Sequence, residues 1–163
     1  MSNAKHTLVA LVEDKPGVLN RVASLFRRRG FNIRSIAVGQ SEQLGLSRMT
    51  FVVGGDSAKI EQVRKQLDKL INVIRVSDIT NEDTVARELA LIKVKATAST
   101  RSEIIQIVDI FRASIVDVAP NSLTVEVTGD EDKVDSLIEL LHGFGIKEIS
   151  RTGRIALTRG STL

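Results

Sequence analysis

Side chains able to do acid–base, nucleophilic or metal chemistry are thinly spread along the 163 residues. There is no cysteine, which removes thiolate nucleophiles, thiolate metal sites and disulfides together. The two histidines, His6 and His142, fall at an expected strand start and helix end. Neither has a second ligand at metal spacing, so surface or helix-dipole roles suit them better than coordination. The acids Glu82-Asp83 and Asp130-Glu131-Asp132 resemble a carboxylate site only in composition, because a linker and a helix start account for them. No G-x-x-x-x-G-K-[ST] loop, G-x-G-x-x-G turn or G-x-S-x-G elbow occurs. Nucleotide cradles and serine-hydrolase chemistry therefore lack their scaffolds. The expectation is a chain with no catalytic residue, no metal site and no activity by itself.

What remains is a turn. Asp14-Lys15-Pro16-Gly17-Val18-Leu19 sets a glycine beside the amides that open a helix, and those amides with the helix dipole suit an anion such as an amino-acid carboxylate. Asn32, which opens the next strand, has donors and acceptors for other polar groups of a small ligand. The same residues also read as a tight turn in which Asp14 caps the helix. Turn chemistry alone leaves both readings open.

The elements that must hold this turn follow from hydrophobic period and punctuation. Thr7 to Val12 is an apolar run of strand length. Pro16 suits the first turn of a helix, along which Val18, Leu19, Val22, Leu25 and Phe26 form one apolar face. Arg27-Arg28-Arg29 and Gly30 close it, cations at the negative end of the dipole. Phe31 to Val38 and Leu46 to Val53 read as strands around the polar loop Gln40 to Gly45. Gly54-Gly55-Asp56-Ser57 turns and caps a second helix with Ile60, Val63, Leu67 and Leu70 inward. Val73 to Ile79 is a fourth strand.

After the polar break Asn81-Glu82-Asp83-Thr84 the order repeats. In Leu89 to Ala96, Ala90, Ile92 and Val94 alternate with Leu89, Leu91, Lys93 and Lys95. Thr100-Arg101-Ser102-Glu103 has the spacing of a capping box, followed by the helix face Ile104, Ile107, Val108 and Phe111. Strands Ser114 to Val118 and Leu123 to Val127 flank Ala119-Pro120-Asn121-Ser122. Three acids open a fourth helix, and Ile146 to Ile149 with Ile155 to Thr158 complete the sheet. Two βαββαβ units in tandem predict an α+β chain of two ferredoxin-like domains, residues 5–80 and 85–160. Each is small enough for its core to be marginal. Open sheet faces and edges then call for a partner subunit, and a homodimer is expected.

Composition narrows the partners. Apolar residues make up 42% and charged residues 26%, as in a globular chain. The isoelectric point is near 9.4, yet 23 cations face 20 anions, a weak field for nucleic acid. The RNA-binding module with the same element order stacks bases on central-strand aromatics, and Leu46 to Val53 offers one Phe and no match. No apolar run approaches the roughly 20 residues of a membrane span, and no secretory signal is visible. The cytoplasm is the expected location, with neither nucleic acid nor membrane as partner. Ser2, Asn3 and Ala4 are given no structural role.

The pattern D-x-P-G-x-L after a first strand, with R-G-F-N-I opening the second, resembles the ACT domain, an amino-acid-sensing module. Further blocks extend the likeness: Leu46-Ser47-Arg48-Met49-Thr50, Arg87-Glu88-Leu89-Ala90-Leu91-Ile92-Lys93-Val94, Phe111-Arg112-Ala113, Ile115-Val116-Asp117-Val118 and Leu157-Thr158-Arg159-Gly160. Together they resemble the small regulatory subunit of acetolactate synthase (acetohydroxyacid synthase) over nearly the whole chain. The resemblance implies a non-catalytic subunit that activates a separate large catalytic subunit and makes it sensitive to valine or another branched-chain amino acid. The holoenzyme, a transferase of branched-chain amino-acid biosynthesis, would hold thiamine diphosphate, Mg and FAD in the catalytic partner only. The resemblance also implies an effector site at an ACT–ACT dimer interface, between the first turn of one chain and the second strand of its neighbour. By position, Asp14, Lys15, Pro16, Gly17, Val18 and Leu19 supply one side and Asn32 and Ile33 the other. Asp14 stands where many members have Asn, which bears on effector choice. A stand-alone ACT sensor for a different enzyme or regulator is the alternative.

Overall fold

The computed structural model describes residues 4–160; Ser2 and Asn3 lie outside them. The described residues divide into two compact units, one of residues 4–85 with 154–160 and one of residues 86–153.

In the first unit β1 (Lys5–Glu13), α1 (Val18–Arg28), β2 (Asn32–Gln40), β3 (Leu46–Gly54), α2 (Ser57–Asp68) and β4 (Val73–Asp78) follow in order. They build an antiparallel sheet, β2-β3-β1-β4. Strand period two sends Leu8, Ala10 and Val12 of β1 to the face that also carries Met49, Phe51 and Val53 of β3. Val22, Leu25 and Phe26 of α1 and Ile60, Val63 and Leu67 of α2 close over them. Phe26 and Phe51 meet with ring centroids 5.1 Å apart. Arg27 and Arg28 occupy the last turn of α1, and Gly30 follows with φ +74°. Asp56 caps α2 by accepting from the Ala58 amide at 2.8 Å. His6 is not at the surface. It shares the inward phase of Leu8, is 5% exposed, and hydrogen-bonds through Nε2 with the Gly55 carbonyl at 3.1 Å. Strand phase decides its burial, and a position at a strand start does not overrule it.

The sheet's other face is covered as well. Thr7, Val9, Thr50 and Val52 point away from the helices yet are buried. Residues 154–160 cross this face. The Arg154 guanidinium donates to Thr7 Oγ1 on β1 at 3.0 Å, the Arg154 amide to Ser35 Oγ on β2 at 3.5 Å, and Arg48 on β3 to the Ala156 carbonyl at 2.9 Å.

In the second unit the strands of β5 (Thr84–Lys95), β6 (Ser114–Ala119), β7 (Ser122–Gly129) and β8 (Ile146–Arg151) run in the order β6-β7-β5-β8, with α3 (Arg101–Ile110) and α4 (Glu131–His142) between them in sequence. Ala90, Ile92 and Val94 pack with Leu123, Val125 and Val127 beneath Ile104, Val108, Val134 and Leu137. Leu89, Leu91, Lys93 and Lys95 take the opposite face, where Lys93 pairs with Glu148 at 3.1 Å across the β5/β8 register. Asp130 caps α4, accepting from the Lys133 amide at 2.9 Å. The expected capping box is absent. Thr100 has helical dihedrals and no side-chain cap bond, because its hydroxyl accepts from the Thr97 amide at 2.9 Å in the preceding turn. β9 (Ile155–Thr158) pairs with β5 off the main strand order and groups with the first unit. It is the fifth strand of the second sheet, beside the path β6-β7-β5-β8. Both units have the ferredoxin-like βαββαβ arrangement, and the chain is α+β.

Candidate functional site

The β1–α1 turn is exposed from Asp14 to Gly17. Gly17 occupies the helix N-cap with φ +83°, a left-handed conformation that glycine adopts without penalty. Asp14 does not cap the helix, since α1 has no side-chain cap bond. Its amide instead donates to the Gly45 carbonyl at 2.9 Å, which ties the turn to the β2–β3 loop. The first i→i−4 bond of α1 runs from the Arg21 amide to the Gly17 carbonyl at 3.1 Å, so the amides of Leu19 and Asn20 precede the ladder. Val18 is buried in the core and Leu19 is 44% exposed.

Three residues that sequence reasoning did not single out complete this end of the unit. A Cβ built on Gly17 would lie 3.7 Å from Arg21 Nη2, so a guanidinium stands over the turn. Arg21 Nη1 donates to Asn72 Oδ1 at 2.5 Å, Asn72 Nδ2 donates to Glu13 Oε2 at 3.3 Å, and Lys15 Nζ pairs with the same carboxylate at 2.8 Å. The Lys15 hydrogen bond, then that of Asn72, then the Lys15 charge hold the Glu13 carboxyl below its usual pKa range. Lys15 thus pairs with Glu13 directly and Arg21 reaches it through Asn72, and the guanidinium keeps donors beyond the one given to Asn72. The available signal was modest: Arg21 follows Gly17 by one helical turn.

Asn32 and Ile33 are elsewhere. Asn32 is exposed at the start of edge strand β2, opposite Gly54, which pairs with Lys5 of β1. Ile33 packs partly against the core. The turn follows Glu13, at the other end of β1. Eight residues of strand separate the two ends, about 26 Å at the usual rise. A single chain does not bring Asn32 to Gly17. Among the described residues no group of three or more His, Asp or Glu side chains could hold a metal, and no helix is long and apolar enough to cross a membrane.

Known proteins match nearly the whole chain. A family model for the ACT domain of acetohydroxyacid synthase small subunits matches residues 8–75, and one for the small subunit of acetolactate synthase matches residues 87–160. A probable acetolactate synthase small subunit of Archaeoglobus fulgidus is 59% identical over 157 residues, 96% of this chain and 98% of its own. The acetolactate synthase small subunit of Mycobacterium bovis is 55% identical over 160 residues, 98% of this chain and 95% of its own. The crystal structure of the small subunit from Thermotoga maritima superposes with a TM-score of 0.88 at 45% identity, covering 98% of this chain and 99% of that one. With its first unit an ACT domain, the chain belongs to the family of acetolactate synthase small subunits.

Proposed function

We propose that the chain activates a thiamine-diphosphate-dependent acetolactate synthase catalytic subunit and confers feedback inhibition by valine or another branched-chain amino acid, with no active site of its own. Thiamine diphosphate, Mg and FAD belong, in this reading, to the catalytic partner. The observation that carries the effector site is the Gly17 turn with the Arg21 guanidinium over it, a seat for a carboxylate. The other half of the site is supplied by a second copy. β2 is an edge strand, and antiparallel pairing of β2 with its two-fold mate carries Asn32 of one protomer to the opposite end of its partner's sheet. The turn lies at that end. The distance that keeps Asn32 from Gly17 in one chain therefore argues for a homodimer through the ACT domains, with the effector between the two protomers.

Burying a valine side chain contributes roughly 1.5–3 kcal/mol, and each charge-assisted hydrogen bond about 1.5–3 kcal/mol. After association costs this corresponds to affinities between about micromolar and millimolar. Feedback requires the effector to favour a less activating arrangement of the subunit, and coupling of about 1–3 kcal/mol suffices. Reconstitution tests the reading. The catalytic subunit is assayed for acetolactate formation alone, with this chain, and with this chain plus valine, leucine or isoleucine. Stimulation that one of these amino acids reverses is the expected result. No stimulation would overturn it in favour of a sensor serving another protein.

A further inference from the structure

The helix layer of the first unit carries a larger net positive charge than the whole chain. From Gly17 to Arg29 there are four arginines and no acid. Residues 56–69 add Lys59, Arg64, Lys65 and Lys69 against Asp56, Glu61 and Asp68. Eight cations thus face three anions on these two helices, while the whole chain has 23 against 20. Dipole complementation at the end of α1 needs only one or two of them. Arg27, Arg28 and Arg29 make no ion pair among the described residues.

These charges have a shape. Arg21, Arg27 and Arg28 line a groove of about 450 Å³ along α1 together with Asn20, Ser24 and Leu70. At the Leu70 end the next residue, Ile71, is 85% exposed in the turn that leads to β4. Arginine beside exposed aliphatic surface is the composition of a protein interface rather than of a solvated face. A nucleic acid would want stacking aromatics, and the groove has none. The groove also begins where the effector turn does, because Arg21 both lines it and stands over Gly17.

The geometry points to this groove as the seat of a carboxylate-bearing segment of the catalytic subunit, with Arg27 and Arg28 pairing its acids and Ile71 entering an apolar pocket beside them. This rests on the reading that the chain docks on that subunit, and it names the surface. Guanidinium forks hold carboxylates in bidentate pairs that lysine does not reproduce.

The test measures binding of the full-length chain to the intact catalytic subunit by calorimetry, alongside valine binding. The wild-type dissociation constant should rise tenfold or more between about 50 and 300 mM salt. Arg27→Glu/Arg28→Glu should weaken docking by about a hundredfold and Ile71→Asp by at least tenfold, while valine binding and the circular dichroism spectrum stay as in the wild type. Arg27→Lys/Arg28→Lys should retain part of the affinity. Wild-type docking that ignores salt, or a folded double reversal that docks normally, overturns the assignment. So does a 20-base-pair duplex that binds the wild type but not the reversal while docking is untouched. Failure of the wild type itself to bind the catalytic subunit would instead refute the function on which the assignment rests.

Discussion

Replacing Gly17 by alanine separates backbone strain from steric exclusion at the β1–α1 turn. The added Cβ meets only Arg21 Nη2, at 3.7 Å, an ordinary contact. No clash is therefore expected. The cost comes from φ +83°, where an L-residue loses roughly 1–2 kcal/mol. The stiffer unfolded chain returns about 0.5 kcal/mol, leaving a net loss near 1 kcal/mol. Asparagine, which tolerates the left-handed region, should lose about half as much. Gly55 is the contrast. It has φ +154°, and a Cβ there would sit 2.5 Å from Phe31 Cε1, so Gly55→Ala adds a clash to the strain and should exceed 2 kcal/mol. With no Trp or Tyr in the chain, unfolding is followed in urea by far-ultraviolet circular dichroism. For Gly17→Ala the midpoint should fall by about 0.3–1 M. A midpoint equal to the wild type, or a Gly17→Asn variant less stable than Gly17→Ala, would refute the strain argument.

Asn32→Ala should weaken feedback by the effector about tenfold and leave activation of the catalytic subunit largely intact; equal loss of both in the reconstituted assay would mean that Asn32 is structural. Arg154→Ala removes the guanidinium bond to Thr7 on β1 and leaves the backbone amide bond to Ser35; it should lower stability by about 1 kcal/mol, with faster hydrogen exchange along β1. Protection of β1 unchanged from the wild type would count against that role. Glu13 has a lowered pKa, so its stabilising contribution is present above the ordinary carboxyl pKa and disappears as pH falls through the lowered value. The thermal midpoints of wild type and Glu13→Gln should therefore differ at neutral pH and converge in acid, whereas a pH-independent gap would show that the ion pair is not its source.

The repeated βαββαβ order was legible because period-two strands and helix stripes alternate with Gly- and Asp-rich turns. Leu8, Ala10 and Val12, or Ala90, Ile92 and Val94, need no partner to declare their face. Polar side chains were harder. His6 looked superficial by type, and strand phase buried it. Thr100 had the right spacing for a capping box, but Thr97 competes for its hydroxyl. β5 begins at Thr84, five residues before the apolar alternation that marks it from Leu89, because Arg87 and Glu88 interrupt the pattern. Gly17 stood out because a turn of that chemistry is local. Arg21, Asn72 and Glu13 did not, since Asn72 lies 51 residues from Arg21 and 59 from Glu13, and no short pattern links them.

Arg154 and Thr7 touch across 147 positions of sequence, with residues 86–153 forming a body of their own between them. The second unit is, in this sense, an insertion within the first. During synthesis the ACT sheet can pair its strands early, but one face stays open until residues 154–160 leave the ribosome, after the whole inserted unit has been made. A closing step that late makes the N-terminal sheet the part of a nascent chain most exposed to premature association. A truncation just short of Arg154 should reproduce that vulnerable state in a finished protein.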